Sequence, residues 1–172
     1  MRERPPLDGE ALERAALRYA GRYATTRARL ETYLVRKLRE RGWAGQGEPP
    51  VEHLTERMAA LGYVDDRAFA SARAQSLSRR GYGPRRIDAA LRAAGIAEAD
   101  MGEAREIASA EAWAAALRFA ERRKLGPFAP APCERPAREK AFAAMLRAGH
   151  PAAITQKILA ARPGEIPEAH NI

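Results

Sequence analysis

The stretch that decides the fold runs from Gly62 to Ile96 and reads GYVDDRAFASARAQSLSRRGYGPRRIDAALRAAGI. Asp65 stands where a helix N-cap would, because its carboxylate can accept hydrogen bonds from the N–H groups of a first turn. Apolar residues then recur at helical spacing until Gly81, which predicts a helix that ends there. Pro84 suits the first turn of a second helix, since that position needs no N–H. The stretch therefore predicts two short helices joined by a glycine-rich turn.

Two landmarks of this stretch recur on both sides of it. One is an apolar residue, a leucine four positions on and a glycine three or four further, and it occurs at Leu34, Leu38 and Gly42, at Ile87, Leu91 and Gly95, and at Phe142, Leu146 and Gly149. The other is an aromatic residue followed by Ala, which recurs every 50 residues at Tyr19-Ala20, Phe69-Ala70 and Phe119-Ala120. Two landmarks with nearly constant spacing indicate a repeated helical unit.

We predict an all-α protein made of three tandem three-helix, helix-turn-helix-like repeats in an elongated array. No run of alternating β-branched and polar residues predicts a strand, and the low aromatic content of 6% with abundant Ala suits thin helical packing. A unit of about 50 residues is marginally stable alone, so the repeats should pack on one another. The predicted divisions are a flexible N-terminal tail at 1–9, repeats at 10–62, 63–107 and 108–162, and a C-terminal tail at 163–172.

The formal net charge of +8 favours a polyanion as the partner. Basic residues concentrate in three segments: 11–42 has nine Lys or Arg against three acidic residues, 71–95 has six against one, and 118–147 has eight against three. Solvated helix faces of an arginine-rich protein would also carry such charge. Three basic segments, one in each predicted repeat, favour a continuous electrostatic track.

Catalysis and metal binding have little support in the sequence. The three histidines, His53, His150 and His170, share no helical spacing with another candidate ligand, and His150 before Pro151 is interpreted as a helix cap. Asp65 and Asp66 are adjacent carboxylates, but a helix N-terminus explains acidic residues through capping and the helix dipole. We therefore predict that the protein is not an enzyme and has no cofactor.

A single cysteine, Cys133, allows neither a disulfide framework within the chain nor a thiolate zinc cluster, and we interpret it as incidental. No span of 18 apolar residues predicts a membrane helix. We expect a cytoplasmic monomer that does not associate with membranes.

The residues quoted above resemble a known family. The sequence GYVDDRAFA followed by SLSRRGYGPRRIDAALRAAGI is similar to the signature of the RecX regulatory proteins. The segment ALRYAGRYATTRARLETYLVRKLRERG resembles the opening segment of that family, and RRKLGPF with REKAFAAMLRAGHPAAITQKIL resembles its third repeat. The likeness covers most of residues 11–162.

The resemblance implies nine helices in three tandem units, which bind in the groove of the RecA recombinase filament on single-stranded DNA. Proteins of the family restrain RecA by limiting filament growth, strand exchange and the linked ATPase. The implied partners are the RecA filament and single-stranded DNA, with duplex DNA left open as a further partner. The candidate contact residues are basic residues of the three segments: Arg36, Lys37, Arg39, Arg73, Arg79, Arg80, Arg85, Arg86, Arg92, Arg122, Arg123 and Lys124.

Two other hypotheses stay open. Tandem three-helix units are also typical of helix-turn-helix proteins, in which a later helix enters the major groove. Adenine is read there by Asn or Gln, and this chain has only Gln46, Gln75, Gln156 and Asn171. Contacts with phosphates or with an acidic protein surface therefore fit better than sequence-specific readout. A stand-alone DNA-binding protein is the main alternative, and a scaffold that uses its helical faces is the third.

Overall fold

The structure is a computed structural model that describes residues 5–132 and 134–169. Cys133 and His170, to which the sequence assigned no role, lie outside these residues. The described residues form nine α-helices and two short 3-10 helices, with no strand beyond one isolated bridge between Leu7 and Trp43. The predicted all-α fold is confirmed. The α-helices are α1 (Gly9–Arg22), α2 (Arg27–Arg41), α3 (Val51–Ala60), α4 (Asp66–Arg79), α5 (Pro84–Ala93), α6 (Gly102–Ala110), α7 (Ala112–Arg123), α8 (Arg135–Arg147) and α9 (Ala152–Ala160).

Local sequence signals set several of the helix ends. The Thr26 hydroxyl accepts a hydrogen bond from the Arg29 N–H at 3.2 Å, and the Asp65 carboxylate accepts one from the Ala68 N–H at 2.9 Å. Both residues cap a helix, as predicted for Asp65, because each satisfies an N–H that has no partner within the helix. α4 ends just before Gly81, whose φ of +75° suits glycine alone, and α5 begins at Pro84.

The chain forms two compact units. Unit 1 contains the residues up to Phe69 together with Ala93–Asp100, and unit 2 contains Ala70–Arg92 and the residues from Met101 onward. α1, α2 and α3 bury Leu12, Leu30, Leu34 and Met58 in the core of unit 1, while α7, α8 and α9 bury Phe119, Met145 and Ile158 in unit 2. How the nine helices group into repeats at 10–62, 63–107 and 108–162 stays a prediction.

Residues 5–8 belong to the segment 1–9 for which the sequence predicts a flexible tail, and the first four residues of that segment lie outside the described residues. Leu7 is only 1% exposed. Its N–H donates to the Gly42 carbonyl at 3.0 Å, and its own carbonyl accepts from the Ala44 N–H at 2.9 Å. Residues 5–8 are therefore fixed to unit 1. A single leucine among prolines and charged residues gives no periodic pattern, so the sequence held no signal for this contact.

The chain between 97 and 124 forms one short 3-10 helix and two α-helices. A 3-10 helix at Glu98–Asp100 precedes α6, and the break between α6 and α7 falls at Glu111. Alanines stand at four-residue intervals across this break, at 104, 108, 112, 116 and 120, and all are buried. Residues four apart drift by about 40° around a straight helix. The break lets each helix bury its own alanines.

Candidate functional site

The structure places the predicted contact residues in both units. Arg36, Lys37 and Arg39 lie on α2 of unit 1. The others belong to unit 2, along the second half of α4, on α5 and at the end of α7. All are exposed except Lys37, which is half-buried. Basic side chains of three helices are thus available at the surface of unit 2. That the whole set forms one track stays a prediction.

A tyrosine between two arginines lies at the turn from α4 to α5. The guanidinium carbon of Arg80 is 5.6 Å from the ring centroid of Tyr82, and that of Arg86 is 4.9 Å from the same centroid. A cation at these distances is attracted by the negative face of the ring. The half-buried Tyr82 therefore contacts two exposed guanidinium groups.

The end of α7 adds a third arginine to this site. The Arg122 guanidinium donates a hydrogen bond to the backbone carbonyl of Arg80. The next residue on α7, Arg123, has its guanidinium carbon 5.6 Å from the ring centroid of Phe119. We call Arg80, Tyr82, Arg86 and Arg122 the turn cluster. Its members come from the α4–α5 turn, from the start of α5 and from α7, so packing within unit 2 assembles it.

The α4–α5 turn is held by the turn between α8 and α9. The Gly83 N–H donates to the Ala148 carbonyl at 2.9 Å, and the Arg85 N–H donates to the Gly149 carbonyl at 3.2 Å. A Cβ on Gly83 would overlap the Gly149 carbonyl, and a Cβ on Gly149, whose φ is +92°, would overlap the Arg86 backbone. Glycine is required at both positions because the two backbones touch. This contact fixes the start of α5, and with it Arg85 and Arg86.

His150 secures the same junction, and its interpretation as a helix cap is wrong. Its side chain is fully buried, and Nε2 lies 3.2 Å from the Gly81 carbonyl. A carbonyl only accepts, so Nε2 carries the proton and donates. Burial lowers the pKa of His150 to about 4, against a smaller raising effect of this hydrogen bond. The N-cap of α9 is Pro151, with no side-chain cap bond. His150 therefore acts as a neutral donor that ties α9 to the α4–α5 turn.

The predicted contact residues of unit 2 fall into two groups, one with a carboxylate partner and one without. Arg92 donates to Asp88 at 2.8 Å, and Arg105 donates to the same carboxylate at 2.7 Å. The hydrogen bond from Arg92, followed by the one from Arg105, lowers the pKa of Asp88 below its usual value. Within residues 5–132 and 134–169, the other predicted cations of unit 2 have no carboxylate partner: Arg73, Arg79, Arg80, Arg85, Arg86, Arg122, Arg123 and Lys124.

The α2 residues of unit 1 are arranged differently. Arg36 Nε lies 3.6 Å from Glu40 Oε1, and Lys37 Nζ lies 2.6 Å from Glu40 Oε2. Arg39 is exposed and has no ion pair with another described residue. Part of the positive charge on α2 is therefore compensated within the helix.

A search among known proteins identifies the family. Over 163 residues the chain is 32% identical to the regulatory protein RecX of Myxococcus xanthus, and the match covers 88% of this chain and 86% of that protein. The chain belongs to the RecX family of regulatory proteins. It is also 34% identical over 122 residues to the regulatory protein RecX of Halorhodospira halophila, which covers 71% of each. The family profile described as "RecX, second three-helix domain" matches residues 65–104, which hold α4, α5 and the start of α6.

Solved structures of RecX proteins share the fold. The crystal structure of RecX from Lactobacillus salivarius superposes with a TM-score of 0.63 at 19% identity, over 88% of this chain and 94% of that one. A second crystal structure of a regulatory protein RecX gives a TM-score of 0.58 at 23% identity, over 87% of this chain and 72% of the other. These likenesses support the helical RecX architecture.

Tyr82 is the member of the turn cluster that the sequence analysis missed. The segment RRGYGPRR places an aromatic residue between two arginine pairs. Aromatic residues interleaved with basic ones are typical of nucleic-acid-binding surfaces, because bases stack on the rings while cations meet the phosphates. The glycines of the segment predict a turn, and that prediction gives the tyrosine no role.

The adjacent carboxylates Asp65 and Asp66 have structural roles. Asp66 is 4% exposed and accepts a hydrogen bond from the Arg27 N–H at 3.0 Å. Burial raises the pKa of Asp66, and the bond from Arg27 opposes that effect.

In the part of the RecX-family chain that the structure describes, no group of three or more potential ligands could hold a metal ion. None of the helices described here combines the length and apolar character needed to cross a membrane.

Proposed function

We propose that this RecX-family chain is a non-enzymatic regulator that binds the RecA filament on single-stranded DNA and restrains its ATPase and recombinase activities. In this proposal the turn cluster and the neighbouring Arg85 contact the DNA backbone or acidic side chains of RecA. The observation that carries the proposal is the set of exposed arginines in unit 2 that lack a carboxylate partner within the described residues.

Uncompensated arginines held side by side repel one another, and this repulsion disappears when an anion binds between them. Tyr82 contacts the guanidinium groups of Arg80 and Arg86, and the backbone carbonyl of Arg80 accepts a hydrogen bond from the guanidinium of Arg122, so all three belong to one local site. A guanidinium makes paired, charge-assisted hydrogen bonds with phosphate or carboxylate, and each phosphate that is neutralised releases counterions. The fixed cluster thus favours a phosphate backbone or an acidic surface over a neutral ligand.

The decisive assay adds the purified chain to RecA already assembled on single-stranded DNA and follows ATP hydrolysis. We expect substoichiometric amounts to suppress hydrolysis, because a regulator that restrains a filament affects more subunits than the one that it contacts. Arg85→Ala combined with Arg86→Ala should raise the concentration for half-inhibition about tenfold, which corresponds to about 1.4 kcal/mol of lost binding.

Arg14→Ala combined with Arg57→Ala is the matched control. It removes the same charge from exposed arginines that pair with Glu10 at 2.9 Å and Glu13 at 3.0 Å. If both double variants weaken inhibition equally, net charge and not the position of Arg85 and Arg86 is responsible. No inhibition by the unaltered chain would reject the proposal.

The same preparation tests the stand-alone alternative. A helix-turn-helix DNA-binding protein should bind duplex DNA tightly and selectively without RecA. A gel shift that shows selective duplex binding, together with an unchanged RecA ATPase, would favour that alternative over a filament regulator.

A further inference from the structure

Three tyrosine rings of unit 1 form a row across α1 and α2. The rings of Tyr19 and Tyr33 are stacked, with centroids 4.1 Å apart and planes at 14°. Tyr23 follows at the end of α1, with its centroid 5.4 Å from that of Tyr19 and its plane tilted by 52°. We call Tyr33, Tyr19 and Tyr23 the tyrosine ladder. It begins within unit 1 and ends in solvent.

Basic side chains border both ends of this ladder. The guanidinium carbon of Arg22 lies 5.6 Å from the ring centroid of Tyr23. At the other end, the guanidinium carbon of Arg36 lies 5.6 Å from the ring centroid of Tyr33, and the Lys37 Nζ lies 5.9 Å from it. Arg22 is exposed and makes no ion pair with any residue that the structure describes. The ladder therefore combines stacked rings with positive charge along one surface.

Core packing explains only part of the ladder. Tyr19 and Tyr33 pack against the buried residues of unit 1. Tyr23 does not belong to that core, and 51% of its surface is exposed. A ring that stabilised only the fold would be buried further. An exposed ring that makes a tilted contact with a stacked pair, and that lies beside an arginine without an ion pair among the described residues, has the composition of a surface that binds single-stranded nucleic acid.

We propose that Tyr23 stacks on a base of a single DNA strand, and that Arg22 contacts a neighbouring phosphate. Every base has a π face, so a ring at the end of a row binds bases with little dependence on sequence. The stacked pair Tyr19 and Tyr33 supports Tyr23 through the tilted contact between the rings of Tyr19 and Tyr23. This proposal rests on the proposed function only in its choice of single-stranded DNA as ligand, and it adds base contacts in unit 1 to the phosphate contacts of unit 2.

Base stacking and phosphate contact are separated with two strands of equal length. One is a labelled oligothymidylate, and the other is the same backbone with abasic sites throughout, so both carry equal charge. The full chain should bind the strand with bases more tightly. Tyr23→Leu should reduce the ratio of the two binding constants about tenfold, because stacking of one base contributes enough for such a change. Binding of the abasic strand and its salt dependence should not change, since the variant leaves every cation in place.

Tyr23→Phe is the matched control, because it keeps the ring and loses only the hydroxyl. It should behave like the unaltered chain, and thermal unfolding should confirm that both variants fold. Loss of the preference in Tyr23→Phe would assign the effect to the hydroxyl and overturn stacking. Equal binding of the two strands by the unaltered chain, an unchanged preference in Tyr23→Leu, or no binding of either strand would also overturn it. The RecA ATPase assay judges the proposed function independently of these outcomes.

Discussion

In unit 1 the arginines beside the start of α4 are surrounded by carboxylates, whereas in unit 2 the arginines around Tyr82 are not. Arg27 Nη1 lies 3.7 Å from oxygens of both Asp66 and Asp100, and Arg67 Nε lies 2.9 Å from Asp100 Oδ1. We call these four residues the paired site. The turn cluster also contains several arginines, but their guanidinium groups contact a ring and a backbone carbonyl.

This difference separates arginines that stabilise the fold from arginines available to a partner. A buried carboxylate such as Asp66 needs hydrogen bonds and a nearby cation, because desolvation of an unpaired charge costs several kcal/mol. The charges of the paired site are satisfied by one another. The charges of the turn cluster are satisfied only by solvent or by a bound anion. The two sites should therefore respond in opposite ways to substitution.

The largest expected effect comes from Gly149→Ala, which removes the backbone contact beneath the turn cluster. A Cβ there would overlap the Arg86 backbone, and alanine would also adopt a φ of +92°. Steric overlap and an unfavourable dihedral together should cost about 3 kcal/mol or more of unfolding free energy. Urea unfolding followed by circular dichroism measures this loss.

Gly62→Ala is the control for the dihedral alone. Gly62 has a φ of +77°, and an added Cβ would meet nothing within 4 Å. Its cost should be about 1 kcal/mol. Equal losses in the two variants would show that the contact with Arg86 contributes nothing, and the turn cluster would then lack the fixed support described here.

At the paired site, Asp66→Ala should cost about 2 kcal/mol of unfolding free energy. The variant removes the acceptor of the Arg27 N–H and leaves that partly buried group without a partner. Asp66→Asn keeps an oxygen acceptor and should cost less. Inhibition of RecA by the folded fraction should stay unchanged in both variants. A folded Asp66→Ala protein with weakened inhibition would contradict the assignment of this site to stability.

The next effect is pH dependence caused by His150. Its pKa is about 4 in the folded chain and 6.5 when unperturbed. Between these values the unfolded chain binds a proton that the folded chain excludes, so stability falls as the pH falls from 6.5 toward 4. Between about pH 7 and about pH 5 this group should account for a loss of about 2 kcal/mol.

His150→Gln isolates this contribution, because glutamine can donate an N–H to the Gly81 carbonyl and does not titrate. Urea unfolding at both pH values gives the comparison. Asp66 and Asp88 titrate in both proteins, so their effects cancel in the difference. An equal loss of stability in the variant and in the unaltered chain would exclude His150 as the source.

Residues whose structure depends on near neighbours were predictable, and residues that depend on distant ones were not. The caps at Thr26 and Asp65 and the turn from Gly81 to Pro84 follow from local chemistry. His150 was misassigned because its partner, Gly81, is 69 residues away. Gly149 also depends on a distant residue. Its sequence position is that of an ordinary helix C-terminus, and its contact with the Arg86 backbone is seen only in the structure.

The candidate site was predictable in its charge and not in its geometry. Basic residues in the segment 71–95 indicated a polyanion surface. Ion pairing of Arg92 by Asp88, and the positions of Arg80 and Arg122 beside Tyr82, depend on packing that no spacing rule supplies.

The smallest expected effect on stability belongs to Arg80→Gln combined with Arg86→Gln. Loss of two cation–π contacts with Tyr82 should cost up to about 1 kcal/mol, since such contacts are weak at exposed positions. Relief of repulsion with Arg122 should offset part of this cost. The net change in unfolding free energy should therefore lie within about 0.5 kcal/mol. Binding should respond more strongly, and the dependence of log K on log salt for single-stranded DNA should flatten by about 1.4 if both residues contact phosphates.

Arg67→Gln supplies the opposite case, since Arg67 is exposed but pairs with Asp100. It should leave the salt dependence unchanged, because its charge is already compensated by a carboxylate. A stability loss above about 1 kcal/mol in the Arg80 and Arg86 double variant, with an unchanged salt dependence, would assign the turn cluster to the fold. The contrast between paired and unpaired arginines would then no longer distinguish a stabilising site from a binding site.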